Sequence, residues 1–383
     1  MDHLLNDQHK LVQKTLRDFT ANEVKPLAKA IDEGERFPRE TVSKMAEMNL
    51  FGLPFDTAYG GAGGDTVSYA IAVLELSKAC ATTGVILSAH VSLCAAPIAT
   101  WGNDAQKEAY LPGLLSGASL GAFGLTEPNA GTDAGAQKTV ATEHDDHFVL
   151  NGNKIFITNA GEADLYIISA LTNPDARHRG ISLFIVEADT PGFSVGKKEM
   201  KLGIRGSSTR ELILDNVTVP KANLLGKRDK GFAMIMEILS GGRIGIAAQA
   251  VGITEGAIEE ALRYTSERKQ FGKPIISFQN TQFMLAEMET KKEAAKQLLF
   301  KAARYKDQGR PYAKEAAMAK LYAGNTTTEV TQQAVQLFGG YGYTREYDVE
   351  RMMRDAKITE IYEGTNEAQK MVIANMMMKE GAA

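Results

Sequence analysis

The apolar period of this chain changes twice, and those two changes constrain the fold more than any single motif. Leu4, Leu5, Leu11, Val12, Leu16 and Phe19 recur at three- and four-residue steps with charges between them, the spacing of a helix with one buried face. Residues 41–50 repeat that spacing and run into Gly52 and Pro54, which interrupt helical geometry. From about residue 119 the pattern shortens. Residues 148–158, 165–169, 181–186 and 211–217 are brief apolar runs punctuated by Pro174, Pro191-Gly192 and Pro220, and they read as strands. Asn151-Gly152 lies between two apolar runs and predicts a hairpin turn, because both residues tolerate positive φ. After Gly231 the helical period returns over 232–239, 244–264, 279–307 and 312–337, enough for an antiparallel bundle. The expected architecture is an N-terminal all-helical domain (1–118), a middle β-sandwich or barrel-like domain (119–228) and a C-terminal four-helix bundle (229–383).

Composition agrees with several domains. A length of 383 residues exceeds the size at which one hydrophobic core stops growing. Forty-three basic against 47 acidic residues leave a net charge of -4, so no overall nucleic-acid footprint is expected. Two cysteines, Cys80 and Cys94, both in an apolar stretch, exclude a disulfide framework and favour a cytoplasmic home. The start Met1-Asp2-His3 shows no basic-then-apolar leader. Residues 79–103 contain no Asp, Glu, Lys or Arg and are long enough to cross a bilayer. Their threonines and serines, His90, Pro97 and the lack of basic flanks read instead as a buried helix, so no transmembrane segment is expected.

Most chemical motifs are missing. No metal is expected: the six histidines are scattered, and no zinc-type Cys or His spacing occurs. There is no G-x-S-x-G elbow, no Walker loop and no dinucleotide hexad; residues 59–65 are a glycine-rich connection, read as flexible. Three segments remain. The glycine-rich run 124–135, with Thr126 and Thr132, suits an anion or the polar edge of a flat cofactor, or is an ordinary domain-junction loop. In 155–159, Phe156 either flanks a ring or fills the core. At 358–366, Gly364 is a helix terminator and Thr365 or Asn366 a cap for the last helix. Glu363 then lies at a break with its carboxylate able to point inward; a solvated glutamate is the alternative. Arg351, Arg354, Asp355 and Lys357 read as interface or surface charge.

The same segments carry a likeness. Phe123-Gly-Leu-Thr-Glu-Pro-Asn-Ala-Gly-Thr-Asp, Lys154-Ile-Phe-Ile-Thr-Asn, Glu267-Arg-Lys-Gln-Phe-Gly-Lys-Pro, Gln336-Leu-Phe-Gly-Gly-Tyr-Gly and Ile361-Tyr-Glu-Gly-Thr resemble, in order, motifs of the acyl-CoA dehydrogenase family. Its short-chain, butyryl-CoA-type bacterial members look most similar. The resemblance implies the same domain order, a homotetramer, and FAD held non-covalently between domains and subunits. It implies that Phe123, Leu125, Thr126 and Thr132 line the flavin and its phosphates, that Phe156 packs on the ring system, and that Thr158 bonds near N5. Arg268, Gln270, Phe271, Gln279, Gln336 and Gly340 would reach the FAD of a neighbouring subunit, and Thr365 and Glu367 the far end of the cofactor.

Thr132, Ser240, Arg243, Tyr362 and Gly364 would border the acyl-CoA. Glu363 matches the catalytic base; the alternative position used by some members is here Gly242, which has no carboxylate. Two positions depart from the family pattern: Ser240 stands where Asp is frequent, and Phe156 where several relatives have Trp. The implied activity is FAD-dependent α,β-dehydrogenation of a short-chain acyl-CoA to the trans-2-enoyl-CoA, with electrons passed to an electron-transferring flavoprotein. A branched short-chain acyl-CoA dehydrogenase, or a non-catalytic flavoprotein scaffold in an electron-transfer assembly, are the alternatives.

Overall fold

Asn6 accepts the His9 N–H at 2.8 Å and so starts α1 (Asp7–Phe19), which runs through a π turn at Thr20–Val24 into α2 (Lys25–Glu33). The computed structural model describes residues 5–381; Leu4 and the start at Met1–His3, where no leader is expected, lie outside the described residues. Five helices follow: α3 (Arg39–Glu47), α4 (Thr66–Ala79), α5 (Ala81–Ala89), α6 (Ala96–Trp101) and α7 (Asp104–Ser116). The glycine-rich connection before α4 is not loose. Gly61, Ala62, Gly63 and Gly64 each donate their N–H to a carbonyl between Gly52 and Asp56, and Asp65 caps α4. The charge-free run is buried over 79–95 and reaches the surface only toward Thr100 and Asn103, as expected for a core helix. Residues 81–101 and 231–267 are both long and apolar enough to span a membrane, but 94% and 72% of their apolar windows lie inside the protein.

The middle region is one sheet of β1 (Gly121–Gly124), β2 (Val140–Glu143), β3 (His147–Thr158), β4 (Leu165–Leu171), β5 (Ile181–Glu187), β6 (Phe193–Lys198), β7 (Thr209–Pro220) and β8 (Leu224–Leu225). Its order is β6-β7-β3-β2-β4-β5-β8, with β1 parallel to β4. The sheet folds onto itself, so that Phe148 on β3 meets Phe184 on β5 with ring centroids 5.0 Å apart. The interior is therefore that of a sandwich. The hairpin expected at Asn151-Gly152 is a correction: β3 continues straight through it. The extra residue of the irregularity there is on β7, which bulges at Asp215-Asn216 opposite Asn151; Gly152 takes φ +149° and Asn151 accepts the Asn216 N–H. A Cβ on Gly152 would lie 2.5 Å from Thr139 Oγ1, so the glycine is demanded by close approach of the chain. The turn lies instead at Asp145-Asp146, between β2 and β3.

The C-terminal region holds α8 (Gly231–Glu267), a two-residue ribbon of β9 (Lys269–Gln270) and β10 (Lys273–Pro274), then α9 (Gln279–Asp307), α10 (Ala313–Phe338), α11 (Val349–Ile358) and α12 (Asn366–Gly381). The segments expected at 232–239 and 244–264 are one 37-residue helix. Its glycines do not break it because they admit neighbours: a Cβ at Gly252 would sit 2.2 Å from the Leu74 carbonyl of α4. Arg351, Arg354 and Asp355 of α11 are a second correction, whereas Lys357 is exposed, as expected of surface charge. Arg351 and Asp355 are buried, and Arg354 forks onto Asp32 of α2 while also binding Glu350. Asp355 accepts the Ile204 N–H from the loop before β7. These groups tie three parts of the chain together rather than coat its surface.

Candidate active site

Between α11 and α12 the chain turns through two left-handed residues, Glu363 (φ +54°) and Gly364 (φ +88°). A non-glycine residue there is strained and persists only where its surroundings hold it. Gln369 Nε2 donates to the Glu363 and Gly364 carbonyls at 3.2 and 2.8 Å, and Lys320 Nζ of α10 donates to the Gly364 carbonyl at 2.7 Å. Thr365 Oγ1 accepts the Ala368 N–H and caps α12. Among the described residues the Glu363 N–H meets no acceptor.

The carboxylate points inward, not to solvent. Oε2 of Glu363 is shielded and has no hydrogen-bond partner among the described residues. It stops against Gly242 of α8, where a Cβ would lie only 2.7 Å from Oε2. The two positions that the sequence offered for a carboxylate therefore face one another, and the missing side chain at 242 makes room for the one at 363. Burial pushes the Glu363 carboxyl up to about 7, against the opposing pull of Arg243 and Lys320. Arg243 is itself buried, with Nε unpartnered.

Other expected site residues divide by place. Ser240, one turn from Arg243, is buried and spends its hydroxyl on the Met236 carbonyl at 2.8 Å. Tyr362 donates its hydroxyl to Gln249. On β3 a register shift between Lys154 and Ile157 throws Phe156 outward, with φ +57° and 59% exposure. Phe156 is thus no core residue; it offers an open aromatic face. Thr158, two residues on, is half-buried beside Thr209. Phe123 and Leu125 are largely committed to the core, whereas Thr132 is exposed and Thr126 half-buried.

A separate cleft of about 510 Å³ brings together Arg268, Gln270, Gln336 and Gly340 with Tyr264 and Tyr341. Glu363 does not line it, and neither do Phe271 (92% exposed) nor Gln279. Glu367 is exposed in the first turn of α12.

Two groups that site motifs did not single out organise these loops. Lys154 Nζ, fully buried, donates to the Leu125 carbonyl (3.2 Å), Glu127 Oε1 (2.8 Å), Gln137 Oε1 (3.1 Å) and Ser169 Oγ (3.2 Å). Glu127 in turn accepts the Lys138 and Thr139 N–H groups. Lys320 is the other. A signal existed for it: it shares the stripe of Ala316, Ala319 and Ala323 that α10 buries.

Three family models cover the chain: the acyl-CoA dehydrogenase N-terminal domain over residues 6–118, the middle domain over 122–217 and the C-terminal domain over 229–378. This chain belongs to the acyl-CoA dehydrogenase family. Among its relatives, the short-chain-specific acyl-CoA dehydrogenase of Clostridium acetobutylicum is 56% identical over 99% of this chain and 100% of its own. The mouse mitochondrial short-chain enzyme is 44% identical over 98% of this chain and 91% of its own. The solved butyryl-CoA dehydrogenase of Megasphaera elsdenii superposes with a TM-score of 0.96 at 49% identity, covering 98% of this chain and 99% of that one. The protein is accordingly an oxidoreductase of the acyl-CoA dehydrogenase type, with FAD as its cofactor. The residues present fit that cofactor. Phe156 supplies an uncovered ring, Gly131 leaves open space beside Thr132, and the Arg268 cleft has a cationic, aromatic lining.

Proposed function

We propose that this acyl-CoA dehydrogenase acts on short, unbranched acyl-CoA thioesters, with Glu363 as the base that removes the α-proton. The single observation that carries this reading is a carboxylate whose shielded Oε2 has no partner among the described residues, held on a strained turn and facing a glycine. Such a group is a poor ion in isolation and a good proton acceptor once a thioester makes the α-C–H acidic. The unpartnered Glu363 N–H is a donor for the thioester oxygen, where enolate charge develops. Arg243 and Lys320 keep part of the Glu363 population ionised near neutrality. When bound, FAD supplies the two-electron oxidant that accepts the β-hydrogen as hydride.

Thr126, Thr132, Phe156 and Thr158 are the residues of this chain that would hold the flavin. Phe123 and Leu125 would back them from the core. Arg268, Gln270, Phe271, Gln279, Gln336 and Gly340 would serve the cofactor of a second subunit in a homotetramer, and Thr365 and Glu367 its far end. Thr132, Ser240, Arg243, Tyr362 and Gly364 would border the substrate; Tyr362 would do so through its ring or backbone, since its hydroxyl is engaged. The short-chain preference rests on the names of the Clostridium and Megasphaera relatives. An electron-transferring flavoprotein takes the electrons onward, as in homologous acyl-CoA dehydrogenases. We also assign domains at 1–118, 119–228 and 229–383, and a cytoplasmic location.

The test is E363Q. With FAD content unchanged, flavin bleaching by butyryl-CoA should slow by at least about 1000-fold, the scale expected when general-base catalysis is removed. Bleaching at the wild-type rate would remove Glu363 from the role.

A further inference from the structure

We infer that Lys320 is a positioning residue for Glu363: through its bond to the Gly364 carbonyl it holds the left-handed turn, and its ammonium keeps the neighbouring carboxylate ionisable. The inference rests on Glu363 being the base and adds what makes that base usable. Four observations converge. Lys320 is fully buried on α10, yet lysine is almost never buried without a partner. Among the described residues its hydrogen bond goes to the residue after Glu363. Glu363 lacks any hydrogen bond at Oε2, so the nearby cations are its main support. Gln369 already gives the same carbonyl a neutral donor, so Lys320 adds both a second bond to that anchor and a charge.

The groups that face Glu363 come from every side of its nest. Arg243 comes from α8, Lys320 from α10, Tyr69 from α4 and Tyr362 from its own turn. Tyr69 donates to Ser88 and burial pushes its hydroxyl up to about 12; Tyr362 is likewise held neutral by burial. Only Arg243 and Lys320 are therefore positive near pH 7. Lys320 feels Glu363 in return, with burial lowering its ammonium to about 8. Above that range the support weakens.

The experiment uses the purified FAD-loaded enzyme with K320Q, which retains a donor and loses the charge, and K320M, which loses both. Two readouts are taken. The pH profile of kcat/KM for butyryl-CoA reports the free-enzyme base. Infrared difference spectra against E363Q report the Glu363 carboxyl directly, independent of turnover. K320Q should raise both midpoints by about one pH unit, which cuts kcat/KM at pH 7 about fivefold and leaves the alkaline plateau near wild type. K320M should show the same rise together with a lower plateau, because the turn is released.

If K320M fails to fold, K320Q alone decides. Midpoints unmoved in K320Q overturn the inference even when E363Q is inactive. Conversely, an infrared midpoint that moves in K320Q while E363Q still bleaches at the wild-type rate would keep the positioning and discard the base assignment.

Discussion

At the scale of single residues, the decisive contact is between a side chain and the absence of one. Glu363 Oε2 occupies the space that a Cβ at Gly242 would need, with Leu93 Cδ2 a further 3.1 Å neighbour of that Cβ. Substituting Gly242→Ala should therefore push the carboxylate aside rather than disrupt the helix, since alanine is the better helix former. We expect kcat/KM for butyryl-CoA to fall by about tenfold to hundredfold, the scale of a sub-ångström to 1 Å misplacement. FAD content and Tm should stay near wild type. Activity equal to wild type in G242A would show that the base is not confined from this side.

At the scale of elements, β3 is organised around two departures from regular pairing. At Asn151-Gly152 the partner β7 carries the extra residue; beyond Lys154 the extra residue is on β3 and ejects Phe156. Between them lies Lys154, and its ammonium ties β3 to β4 through Ser169 and to the glycine-rich loop through Leu125, Glu127 and Gln137. Burial lowers the Lys154 ammonium to about 8, with Glu127 opposing. On the other partner, burial would raise the Glu127 carboxyl, but Lys154 and the loop N–H groups outweigh it and hold it below the usual range. Removing one member of a buried pair strands the other, at a typical cost of about 3–5 kcal/mol. K154M should lower Tm accordingly and shed FAD on dialysis, because Thr126 and Phe156 lose their common support. The double variant K154M/E127L should recover part of the stability, since it leaves no stranded charge. A double variant as unstable as K154M would locate the loss in packing instead.

At the scale of the whole molecule, polar groups stitch the helical and sheet regions. Arg354 spans α11 to Asp32 of α2, and Asp355 reaches the loop before β7. His90, fully buried in a π turn between α5 and α6, accepts the Gly121 N–H of β1 at Nδ1 and donates from Nε2 to the Leu114 carbonyl. Burial lowers its imidazole to about 4, only partly offset by Leu114. The neutral ring is thus the folded form, and the unfolded value is near 6.5. Its contribution is fully present above about pH 6.5 and is lost as pH falls toward 4, up to about 3 kcal/mol from the size of that shift. Tm should decline across that window, and H90N should flatten the decline. An equal acid slope in H90N would assign it to other groups.

Much of this protein was legible without coordinates. The two changes of period announced helices, sheet and helices because each element must bury a face, and burial leaves a repeat of three to four or of two in the chain. Glu363 was visible as a carboxylate at a helix break, and Thr365 caps the last helix as its type suggested. What one dimension could not hold was distance. Asn151-Gly152 has the chemistry of a turn but stays in the strand, because a bulge of β7 and Thr139 close on it. Phe156 looked like core until the register shift turned it out. Residues 240–242 lie outside the expected helices, yet the helix runs through them, with Lys306 and Tyr312 near Gly241 and Glu363 and Leu93 against Gly242. The partners that Lys154, Lys320 and Arg354 meet across the fold lie 15 to 322 residues away, out of reach of local pattern. Local preference acts through neighbours in the chain, whereas the ionisation and aim of a buried group depend on whatever the fold brings against it.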